Sequence, residues 1–146
     1  MKKLIGCFAA LLLAGCGTSD RAGGTAGEAV MKGKTASEWI QQLKDPDPDK
    51  RKFATNILRD HAKTDLTVRE DLLHNLKSGD SEIKIGVAGV FAAMGWDGTD
   101  ALDHLKKMYL DSDKAVSSAA VEAIRKIDDR ELPKIGVSRG KIEPNR

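Results

Sequence analysis

Apolar residues recur along most of the chain at the spacing of an α-helix. One such stripe, with steps of four, three and four residues, consists of Ile83, Val87, Val90 and Met94. This spacing places its members on one face of a helix, whereas strands would show strict alternation. The pattern predicts almost no strand and six helices, at about residues 36–44, 48–62, 67–77, 81–94, 99–110 and 114–127.

The predicted helices repeat with a period of 33 residues, which separates Asp47 from Asp80 and Asp80 from Asp113. Several apolar columns share this offset: Trp39, Leu72 and Leu105; Leu43, Leu76 and Tyr109; Ala54, Val87 and Ala120; Ile57, Val90 and Ala123; Leu58, Phe91 and Ile124. One helical hairpin cannot bury its apolar stripe alone, so such units stack on their neighbours. The period predicts three stacked hairpins, at about residues 35–63, 66–95 and 98–128.

The segment LKDPDPDKRKFA raises the question of a calcium site, because three carboxylates alternate in it: Asp45, Asp47 and Asp49. A calcium loop would need Gly at its sixth place and Glu at its twelfth, which here are Lys50 and Asn56. The residues suit the start of a helix better, with Asp47 as the N-cap and Pro48 in the first turn. We therefore predict no metal site, and we predict helix caps at the recurring residues Asp47, Asp80 and Asp113.

The N-terminus, MKKLIGCFAALLLAGCG, has the order of a secretory signal: two lysines, an apolar run over residues 4–13, then small residues. The run is too short to span a bilayer as a mature helix. Its end, Leu13-Ala14-Gly15-Cys16, resembles a bacterial lipobox. The resemblance implies removal of residues 1–15 and attachment of a thioether-linked diacylglycerol and an N-acyl chain, such as palmitate, to Cys16. Because Gly17 and not Asp follows, it also implies sorting to the outer membrane, facing the periplasm.

This cleavage changes what the charge and the cysteines imply. The chain has 24 basic and 22 acidic side chains, so removal of Lys2 and Lys3 leaves 22 of each sign. A neutral mature chain gives no electrostatic reason to expect nucleic-acid binding. Cys7 leaves with the signal and Cys16 would be lipidated, which leaves no cysteine for a disulfide. Residues 16–34 are rich in Gly, Ala and Thr, and we expect a flexible tether there.

The stretch GKTASEWIQQLKDPDPDKRKFATNILRDHA resembles HEAT repeats, in particular the short HEAT-like form also found in bilin-lyase-type proteins. The resemblance extends over about residues 35–128. It implies an all-α fold, a short α-solenoid of three HEAT-like hairpins in a right-handed superhelical stack. We expect the repeat domain to span residues 35–130, followed by an irregular tail, 131–146, that covers the last helix pair. This architecture carries many unrelated functions.

In HEAT stacks the second helix of each hairpin lines the concave side. If Ala54, Val87 and Ala120 face the core, the opposite face of the middle helix is small and apolar, an arrangement typical of partner sites. The protein-binding candidates on this side are Lys52, Arg59, Ile85, Ala88, Ala92, Val121 and Arg125. An alternative explains Gly86, Ala88 and Gly89 by close approach of neighbouring helices. A further candidate, Trp96, is either a packed loop anchor or an exposed binding residue.

No catalytic constellation is visible in the sequence. The histidines (His61, His74 and His104) occupy non-equivalent positions without metal-ligand spacing, and His61 is expected to be partly buried. No motif for nucleophilic catalysis occurs. A pair of catalytic carboxylates of the glycosidase type remains an open alternative, because Asp and Glu are abundant in the sequence. We therefore expect a membrane-anchored protein-binding adaptor or scaffold at the cell envelope, neither an enzyme nor a cofactor protein. The alternatives are a small-molecule binder or lyase-type enzyme, suggested by the resemblance, and a structural envelope component that self-associates.

Overall fold

A computed structural model of the protein describes residues 30–138. Its six α-helices are α1 (Ala36–Gln42), α2 (Pro48–Ala62), α3 (Leu66–Ser78), α4 (Ser81–Met94), α5 (Leu102–Met108) and α6 (Lys114–Asp128). Two 3-10 helices occupy Gly95–Ala101 and Asp129–Ile135, and an antiparallel hairpin of β1 (Val30–Met31) and β2 (Lys34–Thr35) precedes α1. Within 30–138 no helix is both long and apolar enough to cross a bilayer. The predicted signal and Cys16 lie outside the described residues.

The helices form three hairpins stacked in sequence. The second helices of the hairpins pack side by side, with α4 in contact with both α2 and α6. The first helices do the same, with α3 in contact with both α1 and α5. This arrangement confirms the predicted all-α solenoid. It also makes α4 the central element of the core, where Val87, Val90 and Phe91 are fully buried.

Each second helix starts at a capping aspartate, as the 33-residue period predicts. The Asp47 carboxylate accepts a hydrogen bond from the Asp49 backbone N–H (2.9 Å), and the Asp113 carboxylate accepts one from Ala115 (2.8 Å). The Asp80 carboxylate accepts from the Ile83 backbone N–H at 2.8 Å, and this bond, with help from Lys44, holds the pKa of Asp80 below its usual value. The caps satisfy backbone donors that the first helical turn leaves free.

The first helix of the third hairpin differs from the prediction of one helix over 99–110. It consists of the 3-10 helix Gly95–Ala101 followed by α5. A Cβ atom at Gly98 would lie 2.9 Å from the Phe91 carbonyl oxygen, so this turn packs tightly on α4. Gly95, which ends α4, has a positive φ of +59° and a ψ of −132°, outside the left-handed helical region. A tight 3-10 turn brings the chain back onto α4 in fewer residues than an α-helix needs.

The N-terminal boundary of the folded part requires a correction. Residues 30–34, expected to belong to a flexible tether without strands, form most of the β1–β2 hairpin. Met31 is buried, and its carbonyl oxygen accepts a 2.7 Å hydrogen bond from the Trp39 indole N–H. Burial of Met31 and the hydrogen bond from the Trp39 indole stabilise this hairpin. Composition alone does not reveal these contacts.

The described part of the C-terminal tail covers the last helix pair, as expected, but it is not irregular. Residues Asp129–Ile135 form a 3-10 helix that packs on α6 and buries Leu132 completely. Lys106 of α5 and Glu131 form a 2.7 Å ion pair, and this contact lowers the pKa of the Glu131 carboxyl group. The tail therefore closes the open end of the solenoid, where a terminal repeat would otherwise expose apolar surface.

Candidate functional site

An open cleft of about 370 Å³ lies between α2 and α4. We call it the α2–α4 cleft. Its apolar lining residues are Leu43, Ile85, Gly86 and Gly89, and its polar ones are Lys44, Arg51, Thr55 and Glu82. Ile85 is half-buried and packs against the core. The cleft therefore offers an apolar surface whose rim carries charges of both signs, and its volume is within the range of ligand-binding clefts.

The two glycines of the cleft have opposite roles. A Cβ atom at Gly86 would lie 2.6 Å from the Leu43 Cβ atom, too close for any real side chain. Gly86 therefore lets α4 approach the turn between α1 and α2. A Cβ atom at Gly89 would meet no atom within 4 Å. The close-approach explanation of the glycines is correct for Gly86 and wrong for Gly89, which leaves open space in the cleft.

This difference predicts opposite effects of the same substitution. Gly86→Ala should lower the free energy of unfolding by about 1–3 kcal/mol, because the Leu43 Cβ atom cannot move without its backbone. Gly89→Ala should raise it by about 0.5–1 kcal/mol, because alanine costs less conformational entropy in a helix and finds free space. Urea unfolding followed by circular dichroism measures both. Equal stability of the two variants would show that α4 and Leu43 are not in close contact.

The two basic groups on the rim are held by different parts of the chain, Arg51 by the turn between α1 and α2 and Lys44 by the N-cap of α4. The Arg51 guanidinium donates hydrogen bonds to the carbonyl oxygens of Asp45 (2.7 Å) and Pro46 (2.9 Å). The Lys44 ammonium forms a 3.4 Å ion pair with Asp80. Glu82 has no ion-pair partner within residues 30–138, so its carboxylate is available on the rim. The DPDPD segment thus positions one edge of the cleft and serves as a turn.

The predicted binding residues differ in how deeply the structure buries them. Ala88 is a correction: it is 0% exposed and lies in the core. Because α4 is flanked by α2 and α6, its buried arc is wider than that of a helix with one neighbour, and it includes both Val87 and Ala88. Ile85 and Val121 are half-buried and pack against the core. The other candidates keep accessible surface: Lys52 is exposed, and Arg59, Ala92 and Arg125 are half-buried.

Trp96 and Arg125 share a second depression of about 420 Å³. Trp96 is 60% exposed, and the Arg130 guanidinium lies 4.9 Å from the centre of its ring. Of the two explanations for Trp96, the structure thus favours the exposed residue. Ile85 and Trp96 line separate depressions, and the predicted binding residues therefore do not form one site.

Of the residues that line the α2–α4 cleft, only Ile85 was a predicted binding residue. Leu43 was assigned to the core, whereas Lys44 and Arg51 flank the turn and belong to no apolar stripe. The four-residue spacing from Asp47 to Arg51 was the available signal, since it places the arginine one helical turn after the cap. His61 is half-buried, as expected. Within the described chain no three His, Cys, Asp or Glu side chains lie close enough together to hold a metal ion.

Comparisons with known proteins agree with the helical stack. Residues 36–131 match the family model for HEAT repeats, which corresponds to most of the described chain. No curated protein and no solved structure matches the chain. The match covers all six α-helices and therefore the α2–α4 cleft, and it ends within the closing 3-10 helix. The chain therefore belongs to the HEAT-repeat family.

Proposed function

We propose that the protein is a membrane-anchored adaptor that binds a protein partner in the α2–α4 cleft. HEAT-type stacks present extended surfaces between neighbouring units, and proteins commonly bind there. The observation that carries the proposal is the open space at Gly89 beside the half-buried Ile85. A glycine in the middle of a helix lowers helix stability, so its presence without a packing role favours a role in keeping the cleft open.

The chemistry of the cleft indicates the kind of segment it would receive. Leu43 and Ile85 supply apolar contact, and about 370 Å³ accommodates a few side chains. Arg51 is held by backbone carbonyls, so ordering it for a partner carboxylate costs little entropy. Glu82 offers an acceptor to a basic partner group. A short apolar segment flanked by charged residues of both signs fits this arrangement.

The lyase-type alternative has less support in this cleft. None of its eight lining residues is aromatic, so a flat tetrapyrrole would have no ring to stack on. The charged lining residues Lys44, Arg51 and Glu82 belong to an open cleft and do not surround a deep pocket. A colourless purified protein with no bound pigment is the outcome we expect.

Self-association is the second candidate function, because one apolar depression lies in the third hairpin. Its volume is about 420 Å³, and its apolar lining residues are Tyr109, Leu110 and Ile135. Leu110 is 79% exposed, which is unusual for a leucine in a helical stack. A molecular mass by light scattering that rises with concentration, and falls for Leu110→Ser, would favour this alternative.

The anchoring part of the proposal predicts a complete change of location for Cys16→Ser. The lipobox resemblance supports acylation at this residue, and two or more chains give durable anchoring at ~0.8 kcal/mol per buried methylene. Without a thiol the chains cannot be attached, so the protein should move from the membrane pellet to the soluble fraction. Cys7→Ser is the matched control and should leave the protein in the pellet. Retention of Cys16→Ser in the pellet would contradict the lipid anchor.

The binding part of the proposal is tested by filling the α2–α4 cleft at Gly89. A leucine there finds free space, so the fold stays intact while the cleft is occupied. Capture of the partner from native envelopes should then fall.

A further inference from the structure

A smaller depression, of about 240 Å³, lies where α3, α4 and α5 meet. We call it the lysine depression. Its lining residues come from α3, α4, α5 and the turn before α6, and they are Leu76, Lys77, Lys84, His104, Lys107, Met108 and Asp111. It shares no residue with the α2–α4 cleft. Three lysines from three different helices therefore line one small concave surface.

The charges of the lysine depression are only partly compensated. Lys84 forms a 3.3 Å ion pair with Asp111, whose carboxylate also accepts a 3.0 Å hydrogen bond from the Asp113 backbone N–H. Lys77 and Lys107 have no ion-pair partner in the part of the chain that the structure describes. Two ammonium groups are therefore left to interact with an anion, on a mature chain that is neutral overall.

The imidazole of His104 supplies a second, independent observation. Its Nδ1 atom is buried and has no hydrogen-bond partner among residues 30–138. An unsatisfied buried polar atom costs roughly 1–3 kcal/mol, and such atoms often mark the place of a bound group. His104 also lines the lysine depression, so this unsatisfied atom belongs to a side chain in the wall of the site.

We propose that the lysine depression binds a phosphate group, either free or carried by a lipid headgroup. Lysine ammonium groups act as compact point charges and are common phosphate ligands, and all the basic groups of this lining other than His104 are lysines. The volume is below the range of drug-sized ligands and suits a small anion or headgroup. The Lys84–Asp111 ion pair joins α4 to the turn before α6, and Lys77 and Lys107 contact the ligand.

In the first test the purified full chain is titrated with sodium phosphate and, separately, with sodium chloride at equal ionic strength. Nuclear magnetic resonance follows the amide and imidazole signals in both titrations. Phosphate should cause saturable shifts at the ends of α3 and α5 and at His104, and chloride should not. Lys77 and Lys107 are exposed, so Lys77→Gln and Lys107→Gln should each raise the dissociation constant about fivefold, the effect of losing one surface charge contact. Lys52→Gln, an exposed lysine on α2, is the control and should have no effect.

The second test distinguishes the two sources of phosphate. The Cys16→Ser chain, which cannot be lipidated, is sedimented with phosphatidylcholine vesicles with or without phosphatidic acid. Binding to phosphatidic acid that depends on Lys77 and Lys107 indicates a lipid headgroup, and saturable binding of free phosphate alone indicates a small ligand. Either result supports the proposal. It is overturned if neither probe binds, or if Lys52→Gln weakens binding as much as the two depression variants do.

Discussion

Phe91→Ala is expected to lower the free energy of unfolding by about 3–5 kcal/mol, the cost of removing a large buried aromatic side chain. Phe91 is fully buried in α4, the helix that contacts both neighbouring hairpins and the 3-10 helix Gly95–Ala101. The stability of a repeat stack is approximately the sum of the stabilities of its repeats and of the interfaces between them. A cavity in the middle repeat therefore weakens both of its interfaces. The free energy of unfolding of a native protein is typically about 5–15 kcal/mol, so a loss of this size leaves little folded protein at raised temperature.

Phe53→Ala is the matched control for this substitution. Phe53 is 47% exposed on α2, where its ring contacts Trp39 at 5.6 Å between ring centres and has the Lys32 ammonium 5.5 Å away. Its truncation should cost less than about 1.5 kcal/mol, since much of its surface is already in water. Urea unfolding of both variants measures the difference. Similar losses for Phe53→Ala and Phe91→Ala would contradict the assignment of α4 as the centre of the core.

The sequence alone predicts the helical stack well, because the fold depends on periodic features. Asp47, Asp80 and Asp113 set the register, and the apolar stripes follow it at helical spacing. The limits of α2 and α4 agree with the prediction residue for residue. A cap and a periodic stripe are local signals, and both recur in each hairpin.

The parts that the sequence does not predict are those without a period. Met31 is a single apolar residue in a short segment, and its burial depends on a contact with Trp39 that no local pattern reveals. For the C-terminal tail the cover was expected, whereas the 3-10 helix that buries Leu132 was not. Both segments complete the ends of the stack. A terminal hairpin needs such additions because it has a neighbour on one side only.

The candidate site was only partly predictable for a related reason. Helical spacing places Ile85 and Ala88 on one exposed face, whereas the second neighbour of α4 buries Ala88. Gly86 and Gly89 are both glycines in the middle of α4, so the sequence does not distinguish their roles. Only the position of the Leu43 side chain shows which of them is in close contact. The cleft depends on how far apart two helices lie, which the pattern of a single helix does not determine.

Gly89→Leu is expected to abolish most partner binding without loss of stability. The new side chain extends into the α2–α4 cleft from a position with no neighbouring atom within 4 Å, and leucine favours helix over glycine by up to about 1 kcal/mol. A partner segment would have to give up its contacts with Ile85 and Leu43. Loss of such central contacts typically costs 2 kcal/mol or more, so we expect at least a tenfold fall in affinity.

Thr67→Leu provides the matched control, because it adds a leucine at an exposed position of α3 outside the cleft. The decisive measurement is chemical crosslinking in native envelopes, followed by affinity capture of the lipidated protein and comparison of the crosslinked partner. We predict that the Thr67→Leu chain retains the wild-type adduct. The Gly89→Leu chain, with a helical content and a melting temperature no lower than those of the wild type, should lose it. Equal amounts of the same adduct from both chains would contradict the α2–α4 cleft as the binding site.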